Sequence, residues 1–441
     1  MAMDQAGLAH RYATRLLNDL GIQAPAPVTV PDLHPALRWQ QCGLQALTGY
    51  PDRAGEMCPL PLASTADGAL VALKTISGQS MNGLQGAHLL TERASLMGLQ
   101  RNGRIAPGGS CYLLQAQGGR LAVNLPRDED WAMLPAWLED GGDIMQGDWA
   151  GLAAVLALHS AAELHSRAAD MGLAVALDQP LAVPAQWVQR SRLGEPVRHN
   201  GPPRVLDLST LWAGPLATHL LQLCGASVIK LESVQRPDGA RQGHQEFFDL
   251  LNAGKACLGL DLTDQEGRDQ FRQLLQQVDI VIESARPRGL HQLGLDAEAL
   301  VREQPGLTWL SITAYGREQG HRVGFGDDVG VAAGLSHVMH SVTGEAIFVG
   351  DAIADPITGL HAALAALVTF DQGGGVLMDV AMRDVTAYCA GFEAPADEAE
   401  LRRRHHEWSR HVDAGSATIP AARRPQGRAH ALGEDTGEIL G

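Results

Sequence analysis

Short apolar runs and amphipathic helical segments alternate along the second half of the chain. Residues 204–209 (RVLDLS) read as a buried strand, Pro215 opens the helical stretch LATHLLQLCG, and residues 226–231 (ASVIKL) read as the next strand. The order continues through CLGLDL, a helix whose Thr263 and Glu266 have capping-box spacing, DIVIES, LTWLSIT and VLMDVAM. This alternation predicts the α/β fold class, with a doubly wound parallel sheet and helices on both faces.

Helical periodicity dominates the first half instead. The predicted helices cover residues 7–20, both ends of residues 37–77, residues 131–139 and residues 148–171. Between them, SCYLLQAQGG and RLAVNLPRD predict two strands joined by a turn at Gly118 and Gly119. A hairpin with helices of this size indicates a smaller α+β domain.

Two proline-containing segments interrupt these patterns. Residues 24–35 predict an extended connection. Residues 190–204 (RSRLGEPVRHNGPPR) have the composition of a linker between domains. We therefore expect two domains, residues 1–195 with the smaller α+β unit and residues 201–441 with the parallel sheet.

Composition narrows the class of protein. The hydrophobic fraction of 45% and the charged fraction of 19% are those of a globular protein. The net charge of −16 argues against a nucleic-acid partner, which requires a clustered basic surface. The six cysteines include no CxxC pair, so we expect no zinc site, no disulfide framework and a cytoplasmic location. No stretch reaches the roughly 18 apolar residues of a membrane span, and the N-terminus has no signal-peptide core.

The stretch VGDAIADPITGLHAALAALVTF, residues 349–370, is the best candidate for chemistry. It predicts a loop that brings a carboxylate to the start of a helix, with Asp355 as N-cap and Pro356 as the first helical residue. The positive end of the helix favours the ionised carboxylate. Asp355 is therefore expected to be a charged, usable nucleophile, although Asp at this place is more often only a helix cap.

Common catalytic motifs are missing from the rest of the chain. The first strand-to-helix turn, STLWAGP, has neither G-x-G-x-x-G nor a P-loop, so Glu232 at the end of the second strand is only a weak ribose-binding signal. H-E-x-x-H and G-x-S-x-G are also absent. The basic run at residues 402–406 is typical of a solvated charged surface.

A weak internal repeat relates the two halves. Gly43 precedes Gly68 by the same 25 positions that separate Gly334 from Gly359 (68 − 43 = 359 − 334), and the flanking residues are similar. At this offset of 291, Ser64 stands opposite Asp355 (355 − 64 = 291). The first copy therefore lacks the carboxylate, unless two Ala/Leu-rich helices merely resemble each other.

Five ordered motifs resemble the family III CoA-transferases, the group of formyl-CoA and carnitine CoA-transferases and α-methylacyl-CoA racemase. They are RVLDLSTLWAGPLATHLLQLCGASVIKLE, LLNAGKACLGLDL, DIVIESARPRGLHQLGL, LSITAYG and ADPITGLHAALAAL. The resemblance implies a Rossmann-like large domain, no metal, no permanently bound cofactor, and coenzyme A as a substrate thioester. It also implies that Asp355 is the catalytic aspartate, which attacks the thioester of an acyl-CoA and transfers CoA to a carboxylic acid through an aspartyl-CoA intermediate.

The resemblance carries over further positions. The implied CoA contacts are Trp212, Ala213, Asn252, Lys255, Ser284, Ala285 and Tyr315. Lys255 is expected to pair with a CoA phosphate. Two residues depart from the family pattern, since Gln292 replaces a common arginine and Thr313 a lysine, and both changes remove positive charge.

Alternatives remain open at this point. The racemase branch uses a histidine where this chain has Phe325 and Gly326, and His321 lies several residues early, so racemisation is disfavoured. Ser64, Gln292 and an altered domain order are compatible with a non-catalytic CoA-binding or scaffolding relative. Family members form interlocked dimers, so we expect a homodimer or an intrachain pseudo-dimer in which residues 1–195 are a degenerate copy.

Overall fold

The computed structural model describes residues 7–23, 33–139, 144–285, 289–290, 294–395, 397–413 and 417–440. Within these ranges it has two sheets, one in each half of the chain. None of the helices in these ranges is long and apolar enough to cross a membrane.

The first half is mainly helical around a small antiparallel sheet. Its helices are α1 (Leu8–Asp19), α2 (Pro35–Gln41), α3 (Leu62–Ser77), α4 (Gly86–Leu89), α5 (Glu92–Met97), α6 (Asp128–Ala132), α7 (Leu134–Leu138), α8 (Trp149–Leu156) and α9 (Ala161–Met171). The strands β1 (Cys111–Ala116), β2 (Gly119–Asn124) and β3 (Ala174–Leu177) pair in that order, all antiparallel. The predicted hairpin and small α+β unit are present.

One predicted element of this unit differs. The run at residues 148–171 is broken into α8 and α9, because the Ser160 side chain accepts a hydrogen bond from Glu163 N–H and starts a new helix. Gly172, at φ 72°, ends α9 in the left-handed conformation. The apolar residues that follow form β3, a strand that the sequence analysis did not predict.

The second half contains the large sheet. Its strands are β4 (Gln189–Arg192), β5 (Arg204–Leu208), β6 (Ser227–Ser233), β7 (Ala256–Leu260), β8 (Ile280–Glu283), β9 (Thr308–Thr313) and β10 (Val376–Ala381). Its helices are α10 (Ala213–Leu223), α11 (Gln245–Asn252), α12 (Gln265–Leu275), α13 (Ala297–Glu303), α14 (Gly326–Ala332), α15 (Leu335–Thr343), α16 (Ala354–Asp371), α17 (Met382–Gly391), α18 (Glu398–Ser409) and α19 (Thr436–Leu440).

The strand order is that of a Rossmann-like sheet. The strands lie in the order β4-β10-β9-β8-β5-β6-β7, and all neighbours are parallel except β4, which runs antiparallel to β10. Every residue of β8 and of β9 is buried, as expected for central strands covered on both faces. The predicted α/β doubly wound fold is confirmed.

Two local predictions for this half are wrong. The helix after β7 is capped by Asp264, whose carboxylate accepts from Gly267 N–H, rather than by the Thr263–Glu266 capping box. Thr263 instead donates to Asp261 in the preceding turn. The segment predicted as a linker also contains most of β4, because its backbone completes the edge of the sheet beside β10.

The first half packs directly on the second. Helices α1 and α3 lie against each other, and α3 also contacts α16. Tyr12, Leu70, Leu360 and Met378 belong to one continuous apolar core. The helices of the first half therefore help to cover the helix that carries Asp355.

Candidate active site

A crevice opens at the carboxyl ends of the parallel strands. It lies where the chain order reverses between β5 and β8, the place where sheets of this kind bind ligands. Its cavity of about 210 Å³ is lined by Thr210 and Leu211 after β5, Ser284 and Ala285 after β8, and the loop that follows β9. Asp355 lies in the same wall.

Asp355 sits in the first turn of α16, which differs from the prediction. The helix begins at Ala354 with Ile353 as its N-cap residue, so Asp355 is the second helical residue and Pro356 the third. Among residues 351–370, all of which the structure describes, only Asp355 is not buried. The fold therefore exposes this carboxylate to the cavity while it covers the rest of the helix.

A tight turn delivers this carboxylate. Ala352 has φ 41°, a left-handed conformation that is strained for a residue with a side chain. Its N–H donates to the Asp327 carboxylate at 2.7 Å, and its carbonyl accepts from Asp355 N–H at 2.9 Å. Gly326 is required beside it, because a Cβ there would lie 2.2 Å from Asp355 Oδ2 and 2.3 Å from Ala352 O.

The electrostatics of Asp355 also differ from the prediction. Burial raises the pKa of Asp355 to about 7, and although Arg93 opposes the shift, the carboxylates of Asp327, Asp328 and Asp351 add to it. The favourable helix end is thus outweighed by desolvation and like charges. The Asp355 carboxyl titrates near neutral pH instead of remaining fully ionised, as suits a group whose charge state changes in a reaction cycle.

Arg93, on α5 in the first half, forms an ion pair with one of these carboxylates. Its guanidinium pairs with both oxygens of Asp351, with Nη2 to Oδ1 at 2.5 Å and Nε to Oδ2 at 2.8 Å. The Arg93 guanidinium also lies 5.6 Å from the ring centroid of Trp212. A second contact between the halves is made by Asn124, which donates to Asp328 at 2.8 Å. Residues of both halves therefore build the site.

Four of the seven predicted CoA contacts line the cavity. Ala213, Ser284, Ala285 and Tyr315 are brought together there with Asp355. The Ser284 hydroxyl accepts from Thr210 N–H at 3.1 Å, which ties the loops after β5 and β8.

The other three predicted contacts lie elsewhere. Trp212 is buried against Phe247, with ring centroids 5.3 Å apart. Lys255 is 1% exposed and donates to Asp207 Oδ2 at 3.0 Å and to Asn252 Oδ1 at 3.0 Å.

Burial lowers the pKa of Lys255 to about 8, and its ammonium is already satisfied inside the protein. The predicted pairing of Lys255 with a phosphate therefore conflicts with its position. Lys255 instead joins Asn252 at the end of α11 to Asp207 on β5 and to the Pro215 carbonyl in α10.

The remaining sequence candidates are placed as follows. Thr313 lines the cavity and donates to Asp379 Oδ1 at 2.9 Å. Phe325 also lines the cavity, whereas His321 is exposed and does not. Gln292 lies outside the described residues. Among the described lining residues there is no histidine that would act as the second acid–base group of a racemase.

Several residues of the site carry no recognisable local signal in the sequence. Arg93, Arg127 and Arg322 reach the site from distant segments, and only the fold brings them there. The sequence gives one hint of the acidic residues around Asp355. Acidic residues follow a glycine at residues 326–328 (GDD) and at residues 350–351 (GD), and this order suits tight turns. Within the described ranges, no group of three or more potential ligands is arranged to hold a metal ion.

Fold and site together define an α/β protein with a half-buried carboxylate in a crevice at the carboxyl ends of its parallel strands. Residues 203–422 match the model of CoA-transferase family III, and this part of the chain belongs to that family. The succinate–glutarate CoA-transferase of Agrobacterium fabrum is 34% identical over 203 residues, 41% of this chain and 50% of the relative. The succinyl-CoA:mesaconate CoA-transferase of Haloarcula hispanica is 31% identical over 205 residues, 41% of this chain and 51% of the relative.

Solved structures match over a similar stretch. A hypothetical protein of Mycobacterium tuberculosis has 32% identity and a TM-score of 0.38, over 44% of this chain and 57% of that one. A CaiB/BaiF family protein of Brucella suis has 27% identity and a TM-score of 0.37, over 47% and 60% respectively. The chain spans about half the length of the curated relatives it matches.

Proposed function

We propose that the chain is an acyl-CoA:carboxylate CoA-transferase with Asp355 as its nucleophile. The observation that carries the proposal is that Asp355 alone, within a buried helix start, opens to the cavity at the switch point of the sheet. The family match over residues 203–422 supports it, as do relatives named for transfer of CoA between carboxylic acids.

The chemistry follows from a carboxylate nucleophile. Ionised Asp355 attacks the thioester carbonyl of the donor, the C–S bond breaks, and CoA leaves as a thiolate with a mixed anhydride on the enzyme. The thiolate attacks the aspartyl carbonyl and releases the donor acid, which leaves an aspartyl-CoA thioester. The acceptor carboxylate attacks this thioester and again releases the thiolate, which then takes the new acyl group and frees Asp355.

The proposed homodimer or intrachain pseudo-dimer takes a specific form in this chain. Arg93 and Asn124 of the first half contact the acidic residues around Asp355, and Arg127 lines the cavity. We therefore propose that one chain contains a complete site, without residues from a second copy. Sedimentation of the active protein as a monomer would support this arrangement, whereas activity confined to a dimer would contradict it.

Trapping the intermediate tests the nucleophile. The protein is incubated with an acyl-CoA panel and hydroxylamine, and mass spectrometry locates the hydroxamate, which we expect on Asp355. Asp371→Asn, at the opposite end of the same helix, is the matched control and should label normally. CoA binding without transfer and without a modified aspartate would favour a non-catalytic CoA-binding relative instead.

A further inference from the structure

Arg322 stands out among the residues that line the cavity. It lies on the loop between β9 and α14, and its guanidinium carbon is 3.6 Å from the ring centroid of Tyr315. Its Nη1 donates to Gln319 Oε1 at 2.9 Å, and its Nη2 donates to His165 Nε2 at 2.8 Å. Within the described residues, its hydrogen-bond partners carry no carboxylate.

The other arginines around the site are neutralised by acids. Arg127 binds both oxygens of Asp130. Arg93 binds both oxygens of Asp351. Arg322 is thus the cation on the cavity wall that has no acidic partner among the described residues.

His165 does not supply a compensating charge. Burial and the neighbouring guanidinium lower the pKa of His165 to about 4, so its ring is neutral at physiological pH and accepts the hydrogen bond from Arg322. Gln319, His165 and the ring of Tyr315 together fix the guanidinium plane. A planar fork held in place in this way is well suited to bind a carboxylate through two parallel hydrogen bonds.

We propose that Arg322 binds a second carboxylate at the far end of the acyl group, so that the enzyme acts on dicarboxylic acids and their mono-CoA thioesters. This inference rests on the proposed function, because it assumes that the thioester carbonyl meets Asp355 in the same cavity. Arg322 and Asp355 both line this cavity, whose volume is about 210 Å³.

An anion at Arg322 has two possible sources, a distal carboxylate or a phosphate of CoA. The pantetheine arm separates the thioester from the nearest phosphate by much more than the width of a cavity of this size. When the thioester carbonyl reaches Asp355, the acyl end therefore remains the anion within reach. The two sources predict different substrate dependence, which an experiment can separate.

The experiment compares glutaryl-CoA with pentanoyl-CoA, which have the same chain length but differ in the terminal carboxylate. Calorimetric Kd and steady-state kcat/KM are measured for the wild type, Arg322→Gln and Arg322→Lys. The loss of a hydrogen-bonded charge pair predicts a fall of about 10- to 100-fold for glutaryl-CoA in Arg322→Gln. Pentanoyl-CoA should be unaffected, and Arg322→Lys should recover part of the loss because it keeps the charge without the fork.

Controls separate the outcomes. Arg403→Gln, on the exposed face of α18, should change neither substrate, and circular dichroism checks that each variant is folded. An equal loss for both thioesters, with weaker binding of free CoA, would assign Arg322 to a phosphate and overturn the inference. Wild type that transfers both acyl groups equally well would also overturn it. A glutaryl preference in binding without any transfer would instead retain the site and reject the proposed function.

Discussion

The helices that start at Leu62 and at Ala354 are built alike but present different groups. Gly68 in α3 and Gly359 in α16 each face a carbonyl of a neighbouring helix, and an added Cβ would lie 2.6 Å from Ala9 O and 2.7 Å from Ala213 O respectively. Gly43 and Gly334, at the same offset, have φ of 88° and 95°. The glycines at the repeated positions therefore have the same structural roles in both copies, a close contact between helices and a left-handed turn.

The difference between the two copies lies in pairing rather than in access, because Ser64 and Asp67 also line a cavity, of about 300 Å³. Ser64 is 4% exposed, and the nearby Asp67 accepts hydrogen bonds from Arg38 Nε and Nη2 and from Ala87 N–H. Asp355 is open to its cavity, and Arg93 pairs with Asp351 beside it rather than with Asp355 itself. A carboxylate beside a cavity is thus insufficient for chemistry, because it must also be unpaired.

The largest expected effect separates these copies directly. Asp355→Ala should reduce CoA transfer to background, because no other described carboxylate lines the cavity. Ser64→Ala should leave transfer unchanged. Steady-state transfer assays on both variants, with circular dichroism to confirm folding, measure the contrast, and loss of activity in Ser64→Ala would contradict it.

Gly326→Ala should have the next largest effect. The new methyl group would displace the Asp355 carboxylate, and misplacement of a reacting group by about 1 Å can cost roughly 10²-fold in rate. Gly330→Ala on the same helix is the control, because the atom nearest to an added Cβ there would be Ile353 Cγ2 at 3.6 Å, an ordinary van der Waals distance. Comparable loss in kcat for both variants would point to a general effect on α14 instead.

Substitutions of Arg93 and Arg38 compare the Arg93–Asp351 ion pair with the Arg38–Asp67 ion pair. Transfer by the wild type should rise with pH through about 7, because the nucleophile must lose its proton. Arg93→Gln should move this limb to higher pH, since Arg93 lowers the pKa of Asp355, and Arg93→Lys should move it less.

Arg38→Gln serves as the matched control for that shift. Each glutamine variant leaves an acid without its partner, and for buried pairs this costs about 3–5 kcal/mol of unfolding free energy. Only the Arg93 variant should change the pH–rate profile. Equal profiles for the two variants would remove Arg93 from the site's electrostatics.

The smallest expected effect concerns stability. The pKa of Asp355 is higher in the folded than in the unfolded chain, so the folded state loses stability as pH rises from about 4 to about 7. Asp355→Asn removes this loss. Its thermal midpoint relative to the wild type should therefore be higher at pH 8 than at pH 4, and the opposite order in calorimetry would contradict the assigned pKa direction.

The sequence predicted best those parts of the fold and of the site that depend on a local pattern of residues. Alternating apolar strands and helices predicted the parallel sheet, and the Asp355 stretch predicted a carboxylate at a helix start. The sequence could not place Lys255, because a lysine before a strand looks the same whether it meets a phosphate or a buried Asp207.

Other features of the site arise only from long-range packing. Arg93 and Arg322 are brought to the crevice by contacts between segments far apart in the chain. The raised pKa of Asp355 likewise comes first from burial and then from Asp327 and Asp328, which a local reading of the helix start does not include.

Strand β4 has a consequence for dividing the chain into pieces. It closes the outer edge of β10, and Arg190 and Arg192 reinforce it through Gln372 Oε1 and the Gly374 carbonyl. A fragment that begins at residue 201 would lack this cover and present a bare row of backbone N–H and C=O groups. Such edges pair readily with other chains, so the excised second half should aggregate unless the cut is made before Gln189.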